Sequence, residues 1–304
     1  MTLPEGTHLV PDSVLAPSPD LQAQSNATGR PVVAHLVRAL YGLKQAPREW
    51  RSELTRILGD LGFVPCITDP GAYIQLINGD LHCLLLVYVD DILIICKEPS
   101  YANTFKSRLS QCVNIKDLHS CKQILGINVR RDQHGAYLSQ SHVIRQLLSS
   151  LQMSPCRSAT VPISASYYNS QTASHSTSSG GEQGHNSTAA NDSANHSATA
   201  LSAPQLKTYQ SALGALLYIS TCTRPDISFA VSVLCRKMQT ATTADMNALK
   251  QLLRYMSHTA DKELALGIKP EGLIGYSDAA YADCPQSRRS SSGYVFTFNG
   301  GSIS

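Results

Sequence analysis

Several features that mark particular classes of protein are absent from this sequence of 304 residues or scarce in it. No apolar run reaches the roughly 18 residues that a membrane span needs. The amino terminus lacks the charged segment followed by an apolar segment that is typical of a signal peptide. Charged residues make up only 15% of the chain, against roughly 25% in an average soluble protein. These features predict a soluble intracellular protein with no membrane partner, and they leave the choice between cytoplasm and nucleus open.

Metal-binding and disulfide signatures are also lacking, although the chain has nine cysteines and ten histidines. Neither Cys-x-x-Cys nor His-x-x-x-His occurs. Cys66, Cys83 and Cys96 lie in or beside apolar runs, where a free thiol behaves as a small hydrophobic side chain. We therefore expect reduced thiols, and neither a zinc site nor a disulfide framework.

Composition divides the chain into segments of different character. Residues 1–30 are rich in Pro, Ser, Asn and Gln, which predicts a disordered leader. Residues 31–163 carry dense signals of regular structure. Residues 164–205 consist almost wholly of small polar residues, histidine and alanine. That tract cannot bury enough apolar surface to offset the entropy of ordering it, so we expect a disordered linker. Structure resumes from about residue 206.

The structured segments mix antiparallel hairpins with helices, which predicts an α+β fold. Pro47 opens a predicted helix that Gly62 closes, with Trp50, Leu54, Ile57 and Leu61 on one stripe. Asn78-Gly79 is a strong type I′ turn signal between two strands. The remaining predicted elements are apolar strands over 84–89 and 92–95, a helix over 101–112, a hairpin of 124–131 with 136–139, helices over 141–151, 206–221, 226–239 and 243–258, and strands over 272–277 and 293–298.

The sharpest chemical feature is the pair Asp90-Asp91, which apolar runs flank on both sides. Two ionised carboxylates in such a setting carry desolvation and repulsion costs. At a tight turn between strands both can lie near one edge, where a divalent cation removes the repulsion. Mg²⁺ is commonly held by one or two carboxylates plus substrate phosphates. The alternative is an ordinary solvated Asp-Asp turn, which the dipeptide alone favours.

A resemblance to a known family rests on these residues and on others in collinear order. Tyr88-Val89-Asp90-Asp91 resembles the Tyr-x-Asp-Asp box of reverse transcriptases, and residues 39–50 (Ala-Leu-Tyr-Gly-Leu-Lys-Gln-Ala-Pro-Arg-Glu-Trp) resemble the signature of copia-type LTR retrotransposon polymerases. Any one motif is weak, but the ordered set is specific. The further matches are Asp69-Pro70, Leu125-Gly126-Ile127, Leu138-Ser139-Gln140, Thr223-Arg224-Pro225-Asp226, Tyr276-Ser277-Asp278-Ala279, Arg288-Arg289-Ser290 and Ser292-Gly293-Tyr294.

The resemblance implies an RNA-directed DNA polymerase joined to a ribonuclease H domain. Residues 31–163 would be part of the palm with the thumb, residues 206–262 a helical connection, and residues 263–304 the first part of the ribonuclease H-like sheet. Such polymerases use two Mg²⁺ (or Mn²⁺) ions about 4 Å apart. The implied partners are a primer-template of RNA or DNA, deoxynucleoside triphosphates and the rest of an element polyprotein.

The resemblance also implies roles for particular residues. Asp90 would ligate metal and Asp91 would support that site, with Tyr88 beside them. Tyr41, Gly42, Lys44 and Gln45 would lie near the incoming nucleotide, ahead of a helix start that favours anions. Lys44 and Arg48 could hold phosphate there, although exposed charges on a first helical turn explain them equally well. Asp278 matches the first carboxylate of the ribonuclease H site, although an Asp at a strand end is commonly a turn former.

The sequence departs from the family pattern in both catalytic centres. The palm needs a further aspartate on an earlier strand, upstream of a segment that resembles Leu3-Pro4-Glu5-Gly6. The sequence begins just before that segment, so we expect this aspartate to be missing, and Asp20 is no substitute. The later ribonuclease H carboxylates are expected beyond Ser304. Ala280 replaces the usual Asp of the family, and Tyr281 replaces its usual Trp. The sequence therefore predicts two incomplete centres.

Three interpretations stay open at this point. The chain is a polymerase fragment that is inactive alone, a nucleic-acid-binding remnant without catalysis, or a degraded element copy without a selected function. Residues 101–160 hold eight Lys and Arg against two Asp, a local charge of +6. Such an excess attracts a phosphate backbone, but solvated helix faces account for the same charges.

Overall fold

The computed structural model describes residues 42–153, 157–173, 199–267, 269, 271–284 and 288–303. The predicted leader, Tyr41 and residues 174–198 of the predicted linker lie outside the described residues. The chain forms two compact units, residues 1–119 and residues 120–304.

The first unit has two helices and one antiparallel sheet among its described residues. The helices are α1 (Ala46–Asp60) and α2 (Pro99–Cys112), and the strands, in the order β1-β2-β3-β4 across the sheet, are β1 (Val64–Pro65), β2 (Ala72–Ile77), β3 (Asp80–Tyr88) and β4 (Asp91–Cys96).

Helix α1 follows the predicted pattern. Pro47 stands in its first turn, where the missing N–H costs no hydrogen bond. Leu54, Ile57 and Leu58 are buried, and Gly62 follows the helix with a φ of +90° that suits glycine. Trp50, at the start of the predicted stripe, stays 37% exposed.

The core of the first unit lies between both helices and the sheet. Phe63 packs against Phe105 of α2, with 5.0 Å between the ring centroids and 57° between the ring planes. Along β3, Cys83 and Leu85 are buried while Leu86 is exposed, as expected for a strand with one covered face. The buried members of this cluster are Leu54, Ile57, Leu58, Leu61, Phe63, Tyr73, Cys83, Leu85, Phe105 and Leu109.

The predicted hairpin around Asn78-Gly79 is confirmed. Ile77 pairs with Asp80 across a two-residue turn, and both turn residues have positive φ, +54° for Asn78 and +87° for Gly79. Positive φ at both central residues is the type I′ arrangement. The next hairpin joins β3 to β4 and pairs Tyr88 with Asp91.

Cys83 and Cys96 form a disulfide, so the expectation that they are free thiols is wrong. They are directly opposite each other on β3 and β4, with 4.2 Å between their Cα atoms. Directly opposed residues on antiparallel strands bring their side chains close. The sequence spacing of 13 residues does not predict this disulfide, because the pairing of the two cysteines depends on the register of the hairpin.

The second unit has five helices and two antiparallel sheets among its described residues. One sheet has the order β5-β6-β7-β8 and the other the order β11-β10-β9. The strands are β5 (Gln123–Ile124), β6 (Ile127–Asp132), β7 (Gly135–Ser139), β8 (Leu264–Leu266), β9 (Ile274–Ala280), β10 (Ser291–Phe298) and β11 (Gly301–Ser302), and the helices are α3 (Ser141–Ser150), α4 (Ala165–Ala173), α5 (Ala203–Cys222), α6 (Ser228–Cys235) and α7 (Thr243–His258).

The core of the second unit is helical. Residues of α3, α5, α6 and α7 form one buried cluster. Capping boxes start two of these helices: Ser202 with Gln205 at α5, and Thr242 with Asp245 at α7. Each box satisfies backbone donors that a helix start leaves free.

Two predicted motifs contact each other in this unit, and a third contacts helix α5, although all three are far apart in sequence. The Thr223 hydroxyl donates to Oε1 of Gln140 at 2.9 Å, in a buried position. The Tyr218 hydroxyl donates to the Leu125 carbonyl at 2.5 Å. The Leu-Gly-Ile segment is thus bonded to α5, and the Leu-Ser-Gln segment to the Thr-Arg-Pro-Asp segment at the end of that helix.

Two predicted elements have different bounds in the structure. The predicted strand over 124–131 is split, because Leu125 and Gly126 have φ of +50° and +71° and form a two-residue turn between β5 and β6. The predicted helix over 226–239 is shorter: a 3₁₀ turn, Pro225–Ile227, precedes α6, which ends at Cys235.

The segment predicted as a linker contains helix α4. Two tyrosines in this otherwise polar tract supply its contacts. The Tyr167 hydroxyl donates to Asp245 at 2.6 Å, and the Tyr168 ring lies 5.5 Å from that of Phe229. Burial and the Asp245 carboxylate raise the pKa of Tyr167 well above its usual value.

The described part of the chain thus combines helices with antiparallel sheets, an α+β architecture as predicted. None of its helices has both the length and the apolar character required to span a membrane.

Candidate functional site

The two aspartates lie at the tip of the β3–β4 hairpin. Tyr88 is the last residue of β3 and pairs with Asp91, the first residue of β4. Tyr88, Asp90 and Asp91 are all exposed. The prediction of a desolvation cost from the flanking apolar runs is therefore wrong, because the turn places both carboxylates outside the sheet, in solvent. Their mutual repulsion remains, since they are neighbours in the chain.

The backbone of this turn is strained at Val89. Its φ is +52°, the left-handed region that is a genuine outlier for a β-branched residue. Asp90 has no positive φ. Positive φ at the first central residue alone is the pattern of a type II′ turn, where glycine is the usual residue. The chain therefore places a costly conformation one residue ahead of the carboxylates.

Helix α1 contacts the hairpin tip directly. The indole N–H of Trp50 donates to the Val89 carbonyl at 3.0 Å. One residue later, Arg51 donates to the carbonyl of Pro70 at 3.1 Å. The Tyr-Val-Asp-Asp turn and the carboxyl end of the residue 39–50 signature thus meet through one hydrogen bond.

The other predicted nucleotide-binding residues lie around the start of α1. Gly42 has a φ of +93°, and Gln45 is the N-cap residue, without a side-chain capping bond. Lys44 and Arg48 are exposed and have no acidic partner among the described residues. Tyr41 lies outside the described residues. Two exposed cations beside a helix start can bind phosphate oxygens.

The carboxylate set at the turn is small. Neither the Asp90 nor the Asp91 carboxylate has an ion-pair or hydrogen-bond partner in the part of the chain that the structure describes. Nor do the described residues contain any group of three or more His, Cys, Asp or Glu side chains placed to hold a metal ion. Two unpaired adjacent carboxylates with water and phosphate oxygens fit Mg²⁺, which prefers such mixed oxygen ligands.

The sequence predicts Asp278 at the end of a strand. In the structure it lies within one. It belongs to β9 and pairs with Gly293 of β10. Its carboxylate is exposed and accepts the backbone N–H of Ala279 at 2.9 Å. No group of three or more potential metal ligands includes it among the described residues.

Acidic partners neutralise part of the predicted basic stretch. Lys106 pairs with Asp117 at 3.1 Å. Arg130 pairs with Glu263 at 2.7 Å and with Asp132 at 2.9 Å, and hydrogen bonding to these carboxylates raises the pKa of Arg130. Arg145 pairs with Asp261. Three of the eight cations therefore serve ion pairs, two of them with acids outside residues 101–160.

Comparison with known proteins shows which family this chain resembles. Residues 19–165 match the model described as reverse transcriptase (RNA-dependent DNA polymerase). The retrovirus-related Pol polyprotein from transposon TNT 1-94 of Nicotiana tabacum is 32% identical over 275 residues, which are 90% of this chain and 19% of that polyprotein. The chain belongs to the retrotransposon Pol reverse transcriptase family.

Two further relatives of this Pol-family chain are proteins of Arabidopsis thaliana. The Pol polyprotein from transposon RE1 of Arabidopsis thaliana is 34% identical over 264 residues, 86% of this chain and 16% of the polyprotein. An uncharacterized mitochondrial protein of Arabidopsis thaliana is 30% identical over 220 residues, 72% of this chain and 80% of that protein. The chain thus spans less than a fifth of the two Pol polyproteins. No solved structure matches it.

The residue that sequence reasoning missed is Trp50 as a partner of the turn. Its place on the predicted helical stripe indicated core packing. Its hydrogen-bond acceptor lies 39 residues away, and periodicity within a helix carries no information on such a contact. The available signal was the motif itself, which ends on the only tryptophan of the chain.

Proposed function

We propose that this chain contributes the Asp90–Asp91 part of a metal-dependent RNA-directed DNA polymerase centre. The observation that carries the proposal is the exposed pair of unpaired carboxylates at the β3–β4 tip, in a chain of the reverse transcriptase family. Asp90 ligates Mg²⁺ or Mn²⁺, and Asp91 supports the same site. When bound, the ions activate the primer hydroxyl and stabilise the leaving pyrophosphate.

The chain's own residues bind and orient the substrates around that site. Lys44 and Arg48 hold phosphate oxygens of the incoming deoxynucleoside triphosphate at the start of α1, where the helix dipole also favours anions. Gly42 and Gln45, with Tyr41, shape the approach to that helix start, and Tyr88 lies beside the metal-binding turn. These assignments extend the family resemblance to the particular residues that match its motifs.

The centre needs a carboxylate from a second strand, and the described residues do not supply one beside Asp90 and Asp91. We propose that polymerisation requires the longer Pol polyprotein. The palm and thumb assignment of residues 31–163 belongs to this proposal. So do the helical connection over 206–262 and the ribonuclease H-like sheet over 263–304, in which Asp278 would be one metal ligand.

The metal-binding part of the proposal predicts that the chain binds Mn²⁺ at the hairpin tip. We expect Asp90→Asn to weaken Mn²⁺ binding by about tenfold or more, because half of the local negative charge and one oxygen ligand are lost. Electron paramagnetic resonance of free Mn²⁺ measures this. Asp80→Asn is the matched control, because Asp80 is an exposed aspartate at the opposite end of β3.

Primer extension on an RNA template with Mg²⁺ is the companion assay, and we expect no incorporation by this chain alone. Incorporation that Asp90→Asn abolishes would contradict the requirement for a longer polyprotein. Mn²⁺ binding that is equal in wild type, Asp90→Asn and Asp80→Asn would contradict the metal site itself and favour a chain without catalysis.

Binding of a primer-template duplex tests the proposed nucleic-acid partner. Three of the eight cations in residues 101–160 are engaged in ion pairs. Up to five there, with Lys44 and Arg48, stay available for phosphate. Each phosphate contact adds roughly one to the slope of log affinity against log salt. We expect a steep salt dependence by fluorescence anisotropy, reduced by about one in Lys44→Gln. A flat response would exclude phosphate-backbone binding.

A further inference from the structure

Two consecutive hairpins of the first unit each have a two-residue turn with positive φ, but the turns are made of different residues. The β2–β3 turn uses Asn78 and Gly79, which tolerate positive φ. The β3–β4 turn uses Val89, which does not. Val89 is also 60% exposed, so packing of its side chain does not compensate for the strain. Some other interaction must keep the second turn in this conformation.

The contact that meets this requirement comes from α1. The Trp50 indole N–H points to the carbonyl of Val89 itself, at 3.0 Å. Leu54 and Leu58 on the same helix are 2% and 0% exposed, and the Thr55 hydroxyl is 2.7 Å from that of Tyr73 on β2. The donor therefore sits on a helix that is anchored to the sheet.

We propose that Trp50 is a positioning residue that holds the strained Val89 turn and thereby sets where Asp90 and Asp91 lie. Without this hydrogen bond, Val89 is free to relax toward negative φ. Val89 directly precedes Asp90, so that relaxation rotates the peptide group between them. The Asp90 carboxylate then changes its position. The coupling between Trp50 and the turn stands on geometry alone, and its consequence for metal binding rests on the proposed function.

The experiment measures amide hydrogen exchange in the full chain. We expect Trp50→Phe, which keeps an aromatic ring but removes the donor, to accelerate exchange of the amides in residues 88–92 about fivefold, the loss of one net hydrogen bond. The matched control is Arg51→Met. It removes the neighbouring hydrogen bond to Pro70 and should leave the exchange of residues 88–92 unchanged.

A double-mutant cycle with Val89→Gly separates positioning from general loosening of α1. Glycine adopts positive φ without strain, so the effect of Trp50→Phe should fall below about twofold in the Val89→Gly background. An equal effect in both backgrounds, or no effect of Trp50→Phe on residues 88–92, would overturn the proposal.

A measurement on the unmodified protein covers the case in which Trp50→Phe does not fold. The chain has one tryptophan, so one indole N–H resonance reports the bond directly. We expect its proton to exchange with water at least about tenfold more slowly than in the unfolded chain, because the donor is engaged. Exchange as fast as in the unfolded chain would overturn the proposal.

Mn²⁺ titrations distinguish the two proposals from each other. If the turn is coupled to Trp50, Trp50→Phe should weaken Mn²⁺ binding by no more than the factor seen in hydrogen exchange, because only the fraction of competent turns changes. If the wild type binds no Mn²⁺, the proposed function fails while the exchange data still decide the role of Trp50.

Discussion

Arg224, in the Thr-Arg-Pro-Asp segment, is a charge that the second unit buries almost completely. Its side chain is 2% exposed. The guanidinium donates to both carboxylate oxygens of Asp226, at 2.9 and 2.8 Å. It also donates to the carbonyl and hydroxyl of Thr259, at 2.8 and 2.7 Å. A buried cation of this kind is tolerated because its planar donors are matched.

Removing the carboxylate should destabilise the second unit. Burial raises the pKa of Asp226, but hydrogen bonds from Arg224 and Tyr255 and the nearby positive charges outweigh it and hold the pKa below its usual value. For Asp226→Asn at neutral pH we expect a loss of about 2 kcal/mol in the free energy of unfolding. This lies below the usual cost of orphaning a buried charge, because Asp226 is 35% exposed and Thr259 remains.

The same pair predicts a pH dependence. A carboxyl whose pKa is lower in the folded state stabilises the fold above its unfolded pKa of about 4, and that contribution is lost as pH falls through the folded value. The difference in denaturation midpoint between wild type and Asp226→Asn should therefore shrink below pH 4. Asp261→Asn is the control, since its pair with Arg145 is exposed on both sides and contributes under about 1 kcal/mol. A difference that stays constant down to pH 2 would contradict the assignment.

At the scale of elements, the end of α1 shows how one residue type takes two roles. Gly59 lies inside the helix, and a Cβ placed there meets nothing within 4 Å. Gly62 lies beyond the helix end with a φ of +90°, and a Cβ there would come within 2.9 Å of the Gln75 side-chain nitrogen. Glycine is a cost at the first position and a requirement at the second.

Alanine substitutions at these two sites should therefore have opposite signs. We expect Gly59→Ala to stabilise the first unit by about 0.5–1 kcal/mol. Gly62→Ala should destabilise it by about 1–2 kcal/mol, the cost of a left-handed non-glycine residue. Urea denaturation of both variants measures the pair, and equal signs would show that the helix does not end where the structure places it.

Elements were predictable where a local rule decides them. The start of α1 at Pro47 and the turn at Asn78-Gly79 follow from proline and glycine chemistry. The split at Leu125-Gly126 was missed, because leucine gives no turn signal and the flanking residues continue an apolar pattern. Helix α4 was missed because the tract around its two tyrosines is polar. The residues that these tyrosines contact are distant in sequence.

At the scale of the whole chain, contacts between distant segments were beyond sequence reasoning. Arg130 pairs with Glu263 across 133 residues, and such pairing requires knowledge of the sheet order. The Cys83–Cys96 disulfide has the same origin, since register alone brings the two residues together. The location of Asp90 and Asp91 was predictable from the motif, whereas their exposure depends on how far the hairpin extends beyond the core.

The presence of one tryptophan in the chain has an optical consequence. All indole emission comes from Trp50. Its ring N–H donates a hydrogen bond to Val89, in the turn that contains the two aspartates. The emission wavelength and lifetime of the unlabelled protein therefore describe one location and are not an average over several. With a quencher or an energy acceptor on a bound nucleotide or primer terminus, the loss of Trp50 emission measures the distance of that group from the turn. The protein itself needs no engineered label.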